Sequence, residues 1–412
     1  MITRFKNFFI DLFLVFASFF VKRSENRIAI GSWAGKLYID NSRYLLEEML
    51  RSLDSSYKFY WIGISEELRE KLPNDNRLKL LKINSLSSVL ALLKCKYFFC
   101  SQFPTIDICL YNVYHGSVIT YLTHGFPIKK VGDDKVTNQR KRNYFLANIK
   151  KLVFQSKNKY NFFSVSSRIE ENILMLSYGN KGCNEESLLR TGTPRNDFLI
   201  NLSASGRVDV KNRYKKAYGI NENKKILLYL PTFRRLSTNT ESLYRRSNLT
   251  EVKSMSSLLN KYNYVLIEKG HFADHSDGLA DLCKDIEHHY LCLGNEVNVQ
   301  ELLACADILI SDYSGAFVDF LVMDRPIIHY VYDYDYYKNT DSGLYFSKEE
   351  FACGEVAVNY EELLVALESY MKNEDKDKCL RKQKRELFLE YEKGEASEKI
   401  IEAVIGNPLK HQ

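Results

Sequence analysis

Four short polar clusters hold the residue types that phosphate chemistry needs. Ser311, Asp312, Ser314 and Gly315 follow the apolar run Ile308 to Ile310 and precede Ala316, Phe317 and Val318. A buried strand, a Ser/Gly turn and a helix start make an anion seat. The first N–H groups of a helix have no partner within it, and its dipole favours negative charge. Ser314 can add a hydroxyl donor. Thr232 and Arg234 follow the run Lys225 to Leu230, and His271 follows Tyr264 to Lys269 through Gly270. Lys269 adds a cation at the same strand end. Hydroxyls, a guanidinium, an imidazole and a helix start together suit a nucleoside diphosphate. The fourth cluster is His124 and Gly125 with Lys129 and Lys130, after the run Val118 to Leu122. With an ordinary pKa of about 6.5, an imidazole placed there could act as a general base. Each cluster also has an ordinary explanation: a capped helix in a βαβ unit, a surface cation, a histidine closing a turn.

The elements that must position these residues alternate between strand and helix. Arg27 to Ser32, Tyr57 to Gly63, Leu78 to Lys82, Tyr97 to Ser101, Val118 to Leu122 and Lys151 to Ser156 read as strands. Tyr44 to Leu53, Leu86 to Lys94 and Ser167 to Leu176 read as helices. The alternation resumes with strands at Lys225 to Leu230, Tyr264 to Lys269, Tyr290 to Leu293, Ile308 to Ile310 and Pro326 to Tyr330, with a short helix from Val299 to Ala306. This pattern predicts parallel sheets covered by helices. In such sheets ligands bind beyond the carboxyl ends of strands, where all four clusters fall. The fold class expected is α/β: two doubly wound Rossmann-type domains facing across a cleft, preceded by an amphipathic helix. The ranges drawn are 1–24 for that helix, 25–203 and 204–372 for the domains, and 373–412 for a helical tail. The polar stretch 201–223 reads as a linker, and Tyr332-Asp333-Tyr334-Asp335-Tyr336-Tyr337 as a loop.

Composition narrows the function. The 412 residues are 45% hydrophobic and 27% charged, enough for large cores. A net charge of +6 fits an anionic substrate or an anionic membrane surface. It is too small to argue for nucleic acid, and no nucleic-acid-binding signature accompanies it. Nine scattered cysteines with no C-x-x-C spacing read as free thiols in a reducing compartment. No metal cluster is apparent. Near the N-terminus Phe5, Phe8, Phe9, Leu12, Phe13, Phe16, Phe19 and Phe20 repeat at helical spacing, with Arg4, Lys6, Lys22 and Arg23 at the ends. The unbroken apolar part, Leu12 to Ala17, is far short of the ~20 residues a spanning helix needs. A helix lying in the plane of an anionic leaflet fits this pattern; a helix docked on its own domain is the other reading.

Several segments, taken in order, resemble the CDP-glycerol glycerophosphotransferases of teichoic acid and capsule synthesis. They are His124-Gly125-Phe126-Pro127-Ile128-Lys129-Lys130, Thr191-Gly192-Thr193-Pro194-Arg195-Asn196-Asp197, Leu230-Pro231-Thr232-Phe233-Arg234, Ile310-Ser311-Asp312-Tyr313-Ser314 and Asp324-Arg325-Pro326-Ile327-Ile328. The resemblance implies a GT-B-like fold with the acceptor side in the first domain and the donor in the second. It implies catalytic roles for His124 and His271. Donor binding would fall to Thr232, Arg234, Lys269, Ser311, Asp312, Ser314 and Gly315. Gly125, Lys129, Arg195, Asp197 and Asp319 are further candidates. The donor it implies is CDP-glycerol or a related CDP-alditol, and the acceptor an undecaprenyl-diphosphate-linked glycan or polymer at the cytoplasmic face of the membrane. No cofactor is required, and a divalent cation such as Mg2+ has no evident site. The chain departs from the family at Gly315, where Ser or Thr is usual, at Phe272, where Pro is common, and at Asp341-Ser342-Gly343, where an Arg tends to precede the Gly. Two other functions share the anion seat: a nucleotide-sugar glycosyltransferase of the same fold, and a non-catalytic nucleotide-binding scaffold of polymer assembly.

Overall fold

The computed structural model describes residues 2–134, 159–232, 249–269, 289–294, 296–340 and 343–406. The chain forms two compact units. The first comprises 1–124, 137–198 and 390–412, and the second 125–136 and 199–389.

The first unit is built on β1 (Ser24–Gly31), β2 (Lys58–Gly63), β3 (Leu78–Lys82), β4 (Cys95–Cys100), β5 (Val118–Tyr121), β6 (Phe162–Ser164) and β7 (Leu188–Leu189). They pair in the order β3-β2-β1-β4-β5-β6-β7, every pair parallel. Runs such as Tyr97 to Cys100 are buried throughout, as a sheet covered on both faces requires. The helix Asp40–Ser52 lays Leu45, Leu46 and Met49 on this sheet. The last helix, Ala396–Ile405, adds Ile400, Ile401 and Val404 to the same core, with Phe59, Trp61 and Phe99.

The second unit repeats the plan with β8 (Lys225–Leu230), β9 (Tyr264–Lys269), β10 (Tyr290–Leu293), β11 (Ile308–Ser311), β12 (Ile327–Tyr330) and β13 (Glu355–Ala357). Their order is β10-β9-β8-β11-β12-β13, again all parallel. In each unit the order reverses beside the first strand: between β1 and β4, and between β8 and β11. Ligands of doubly wound sheets bind at that reversal.

The structure corrects two local expectations. Residues 204–217, read as linker, form the helix Ala204–Ala217, capped by Ser203 Oγ accepting from the Gly206 N–H at 3.0 Å. It buries only the narrow stripe of Val210, Tyr214 and Lys215. Lys211 bonds Asp307 at 2.5 Å and Arg213 bonds Glu301 at 3.0 Å, so a docked helix carries the composition of a solvated segment. Residues read as a loop after Tyr332 form the helix Tyr334–Thr340, whose Tyr337 stacks on Tyr313 with ring centroids 4.3 Å apart. The strand expected at 151–156 lies outside the described residues.

The N-terminal helix, Ile2–Ser18, packs its polar side inward. Asp11, Leu14 and Ser18 are buried, and Asp11 Oδ1 accepts from the Asn112 N–H at 2.7 Å. Arg23 also turns inward. Its guanidinium donates to the carbonyls of Leu92, Cys95, Val113 and His115, and burial pulls its pKa down to about 10. It is a structural clamp, where the sequence pattern had placed it among flanking surface cations.

Candidate active site

His124 follows β5 and is held by groups from three other segments. Its Nδ1 lies 2.6 Å from Asp40 Oδ2. Asp40 opens the helix that follows β1, and its other oxygen accepts from Arg195 Nη1 at 3.0 Å. The same Arg195 nitrogen bonds the His124 carbonyl at 2.9 Å, and the Arg195 N–H bonds Asn41 Oδ1 at 3.0 Å. Asn41 Nδ2 in turn donates to the carbonyls of Leu122 and Thr123, at 2.9 and 3.1 Å. The edge of the Trp33 ring meets the imidazole, with centroids 4.6 Å apart.

The electrostatics follow from this packing. Burial alone would raise the Asp40 pKa, but His124 and then Arg195 outweigh it and hold the carboxyl at about 2. An ionised Asp40 accepts the Nδ1 proton and leaves the Nε2 lone pair available. The His124 side chain is 39% exposed. A buried carboxylate, an imidazole and an open lone pair are the parts of a positioned general base.

Backbone strain marks the same place. Eight described residues other than glycine have positive φ. Four are Asn or Asp, types that enter this region readily: Asn84, Asn263, Asp324 and Asn373. The other four are Trp33 (49°), Asp40 (68°) and Thr123 (57°), all in the shell just described, and Ala34 (55°), which follows Trp33. Left-handed backbone at a Trp or a β-branched Thr persists only where surrounding structure over-determines it, and such residues cluster at functional sites. One such restraint is Asp107, fully buried after β4, which accepts from the N–H groups of Ala34 (3.0 Å) and Gln102 (2.7 Å). Burial lifts Asp107 to about 6 against those two bonds.

Asp40, Asn41, Trp33 and Asp107 went unnoticed in the sequence. A signal was present: Asp40 and Asn41 follow the first strand, at the edge where ligands bind.

The other first-unit candidates divide. Arg195 belongs to the His124 shell. Asp197 is committed elsewhere, its two oxygens accepting from the N–H groups of Ala396 and Ser397, each at 2.8 Å, so that it caps the last helix. In the second unit Gly125 has a φ of 140°, open to glycine alone, and Lys129 bridges to Leu344.

The second cluster sits at the β8/β11 reversal. Asp312 accepts from the Thr232 N–H with both oxygens, at 2.9 and 3.0 Å, and from the Tyr313 N–H at 2.7 Å. Ser311 Oγ donates to the Leu230 carbonyl at 3.0 Å. These two side chains lock the ends of β8 and β11 together. Ser314 Oγ accepts from the Ala316 N–H at 3.3 Å, starting the short helix Ala316–Phe320. Lys269 is buried at the end of β9, and burial pulls its ammonium below its ordinary value while Glu296 acts the other way. Asp319 accepts from Gln300 Nε2 at 3.0 Å and belongs to the packing beneath. Gly315 allows a close approach: a Cβ there would lie 2.7 Å from the Phe126 carbonyl oxygen. Arg234 and His271 lie outside the described residues. Among the described residues, no group of three or more His, Cys, Asp or Glu is placed to hold a metal ion.

Two parallel sheets of Rossmann order, each covered by helices, define an α/β fold of the GT-B-like class. Solved structures share the arrangement. The wall teichoic acid polymerase TagF superposes with a TM-score of 0.77 at 21% identity, covering 94% of this chain and 91% of that chain. A glycosyltransferase from Rickettsia africae gives 0.51 at 14% identity, covering 95% and 100%. At these identities the likeness shows the fold alone. In sequence, the chain is 25% identical to the teichoic acid poly(glycerol phosphate) polymerase of Bacillus spizizenii over 392 residues, 93% of each chain. It is also 25% identical to the teichoic acid glycerol-phosphate transferase of Staphylococcus aureus, over 92% of this chain and 93% of that one. Residues 13–406 match the family described as CDP-Glycerol:Poly(glycerophosphate) glycerophosphotransferase, and the chain belongs to that family. It is a phosphotransferase that passes glycerol phosphate from a CDP-activated donor to a polymer.

Proposed function

We propose that His124 is the general base of this transfer and that Asp40 and Arg195 orient it. The observation that carries this reading is the 2.6 Å contact of His124 Nδ1 with an ionised, buried Asp40. His124 Nε2 takes the proton of an acceptor hydroxyl. The oxygen attacks the phosphorus that bears the donor's glycerol, the bond to the bridging oxygen breaks, and CMP leaves. Ser314, Thr232, Lys269 and the backbone N–H groups after β11 balance charge on the transferring phosphoryl group, and the resemblance adds Arg234 and His271 to them. The product is a phosphodiester.

The acceptor in this reading is a polyprenyl-diphosphate-linked glycan or polymer, met by a protein seated peripherally on the cytoplasmic face of the membrane. Among the described residues no helix is long and apolar enough to cross a membrane. The helix Ile2–Ser18 supports a peripheral seat, since Phe9, Leu12, Phe13 and Phe16 point to solvent while Asp11 and Ser18 are buried. The capsule setting and the choice of glycerol over ribitol belong to the same proposal.

The test is nucleotide release by the purified protein from CDP-glycerol, CDP-ribitol, and UDP- and CMP-sugars, with a membrane extract supplying acceptors. CMP is expected from a CDP-alditol alone. Release from a nucleotide sugar alone would keep the fold and overturn the reaction. His124→Ala is expected to lower turnover by roughly 100-fold or more, the usual scale for losing a positioned base. Unchanged turnover would remove His124 from the mechanism, and CDP binding with no turnover in the wild type would make the protein a scaffold.

A further inference from the structure

We propose that the bilayer contact of the first unit is a broad face, formed by the helix Leu86–Leu92 and the loop following β4 as well as by the N-terminal helix. This inference rests on the peripheral-membrane reading above and extends it to residues outside the N-terminal segment.

Three observations carry it. The first is exposure. Phe13, Phe16 and Phe20 are 68%, 63% and 75% exposed, and on the neighbouring helix Leu86 and Leu90 are 76% and 56% exposed. Leu86 and Leu90 stand four residues apart, on one face, while Ser88, Val89 and Leu92 fill the other. Single exposed leucines are ordinary, but a contiguous set on a small unit marks an interaction surface.

The second is adjacency. The segment from Leu110 to His115 runs between the two helices. On one side Asp11 accepts from the Asn112 N–H at 2.7 Å, and Phe19 packs on His115 with centroids 4.5 Å apart. On the other side Asn84 Oδ1 accepts from the Leu110 N–H at 2.7 Å. Arg23 joins both, donating to the carbonyl of Leu92 at the end of the short helix and to those of Val113 and His115.

The third is charge. Residues 1–24 and 83–117 contain two carboxylates in all, Asp11 and Asp107, and both are buried. These stretches therefore present no exposed acid of their own, while Lys22 and Lys94 are exposed; the adjoining Glu25 is exposed and lies 3.8 Å from Lys96. A surface with an apolar centre and lysines near it complements an anionic leaflet. A second copy of this chain could bury the apolar groups, but it would bring the same lysines against each other.

The experiment measures partition of the full chain onto vesicles of phosphatidylcholine alone and of phosphatidylcholine with phosphatidylglycerol, by flotation. Two double variants are compared: Phe13→Glu with Phe16→Glu, and Leu86→Glu with Leu90→Glu. All four positions are exposed, so turnover on a soluble acceptor analogue checks that folding is intact. The wild type is expected on the anionic vesicles, and each double variant is expected to bind them on the order of tenfold or more weakly. If the wild type binds neither vesicle, the membrane reading itself is overturned. If the wild type binds and the Leu86/Leu90 variant binds equally, the membrane reading stands and the broad face is overturned. If that variant leaves partition unchanged but converts a dimer into a monomer, the face is a contact between copies.

Discussion

A histidine can act as a base only if something fixes which nitrogen is free, and in the proposed role of His124 that group is Asp40. Asp40→Asn keeps the shape but removes the charge that stabilises a protonated imidazole, and the amide can present its N–H to Nδ1. Turnover is expected to fall by on the order of 100-fold, with little change in KM for the donor, because Asp40 belongs to the first unit and the anion seat to the second. The variant also leaves Arg195 without its ion partner, so thermal stability must be measured beside the kinetics; a loss of turnover that merely tracks the folded fraction would make Asp40 structural. His124 was legible in the sequence because a histidine and a glycine after an apolar run mark a strand end. Asp40 was not, because it lies 84 residues away and its role depends on a left-handed backbone that no local pattern reveals. Gly315 teaches the reverse lesson. From the sequence it looks like a missing hydroxyl donor, so that Gly315→Ser would strengthen donor binding. In the structure a Cβ there meets the Phe126 carbonyl at 2.7 Å, and the backbone on that side cannot yield cheaply. Gly315→Ser is therefore expected to destabilise by about 1–3 kcal/mol, the range for overpacking, without lowering KM. A thermal melt and a donor titration of the one variant decide between these outcomes.

At the scale of elements, the apolar strands were legible and the amphipathic margins were not. Val118 to Leu122 and Lys225 to Leu230 are runs that only a buried strand explains, and the structure has β5 and β8 there. The helix Ala204–Ala217 was missed because two buried apolar residues, Val210 and Tyr214, do not make a visible stripe. β6 and β13, of three residues each, are too short to show any period. One strand also carries a titration. His329, on β12, is fully buried; its Nε2 accepts from the Cys353 N–H at 3.1 Å, and Phe317 and Phe351 pack on the ring. Burial pushes its pKa down to about 3. Above pH ~6.5 the ring is neutral in both folded and unfolded chains and favours neither. As pH falls from ~6.5 towards 3 the unfolded chain takes up a proton that the folded chain refuses, so stability is lost across that window. Denaturant midpoints measured from pH 7 to pH 4 should fall. In His329→Gln the slope should be shallower by up to one proton, about 1.4 kcal/mol per pH unit. An unchanged slope would mean that the ring is protonated in the folded state.

At the scale of the molecule, the chain's end completes its beginning. Read along the sequence, 373–412 looks like a charged helical extension. In the fold it divides, with the helix Lys378–Phe388 in the second unit and residues 390–412 in the first. Two of the ties that hold the returning segment run to residues 193–197. Glu392 Oε1 accepts from the Thr193 N–H, the Thr193 hydroxyl and the Asn196 amide, at 2.9, 2.8 and 3.0 Å. Asp197 caps the helix Ala396–Ile405. Residues 193–197 thus bind the chain's end through Thr193, Asn196 and Asp197 and the His124 shell through Arg195, so one short segment ties the end of the chain to the surroundings of His124. The helix also places Ile400, Ile401 and Val404 in the core against the helix that begins with Asp40. Each such side chain contributes about 1.5–3 kcal/mol when buried, so the three together approach the ~5–15 kcal/mol by which whole domains are stable. Ending the chain after Leu389 should therefore unfold the first unit rather than trim it. Calorimetry of the truncated protein should lose the transition belonging to the first unit while the second, whose six strands all lie between residues 225 and 357, still melts cooperatively. Glu392→Gln, which keeps the helix and weakens one tie, should lower the first transition by a few degrees and leave the second in place. A truncated chain that melted like the full one would show that the last helix is an appendage and that the Arg195 contacts stand without it.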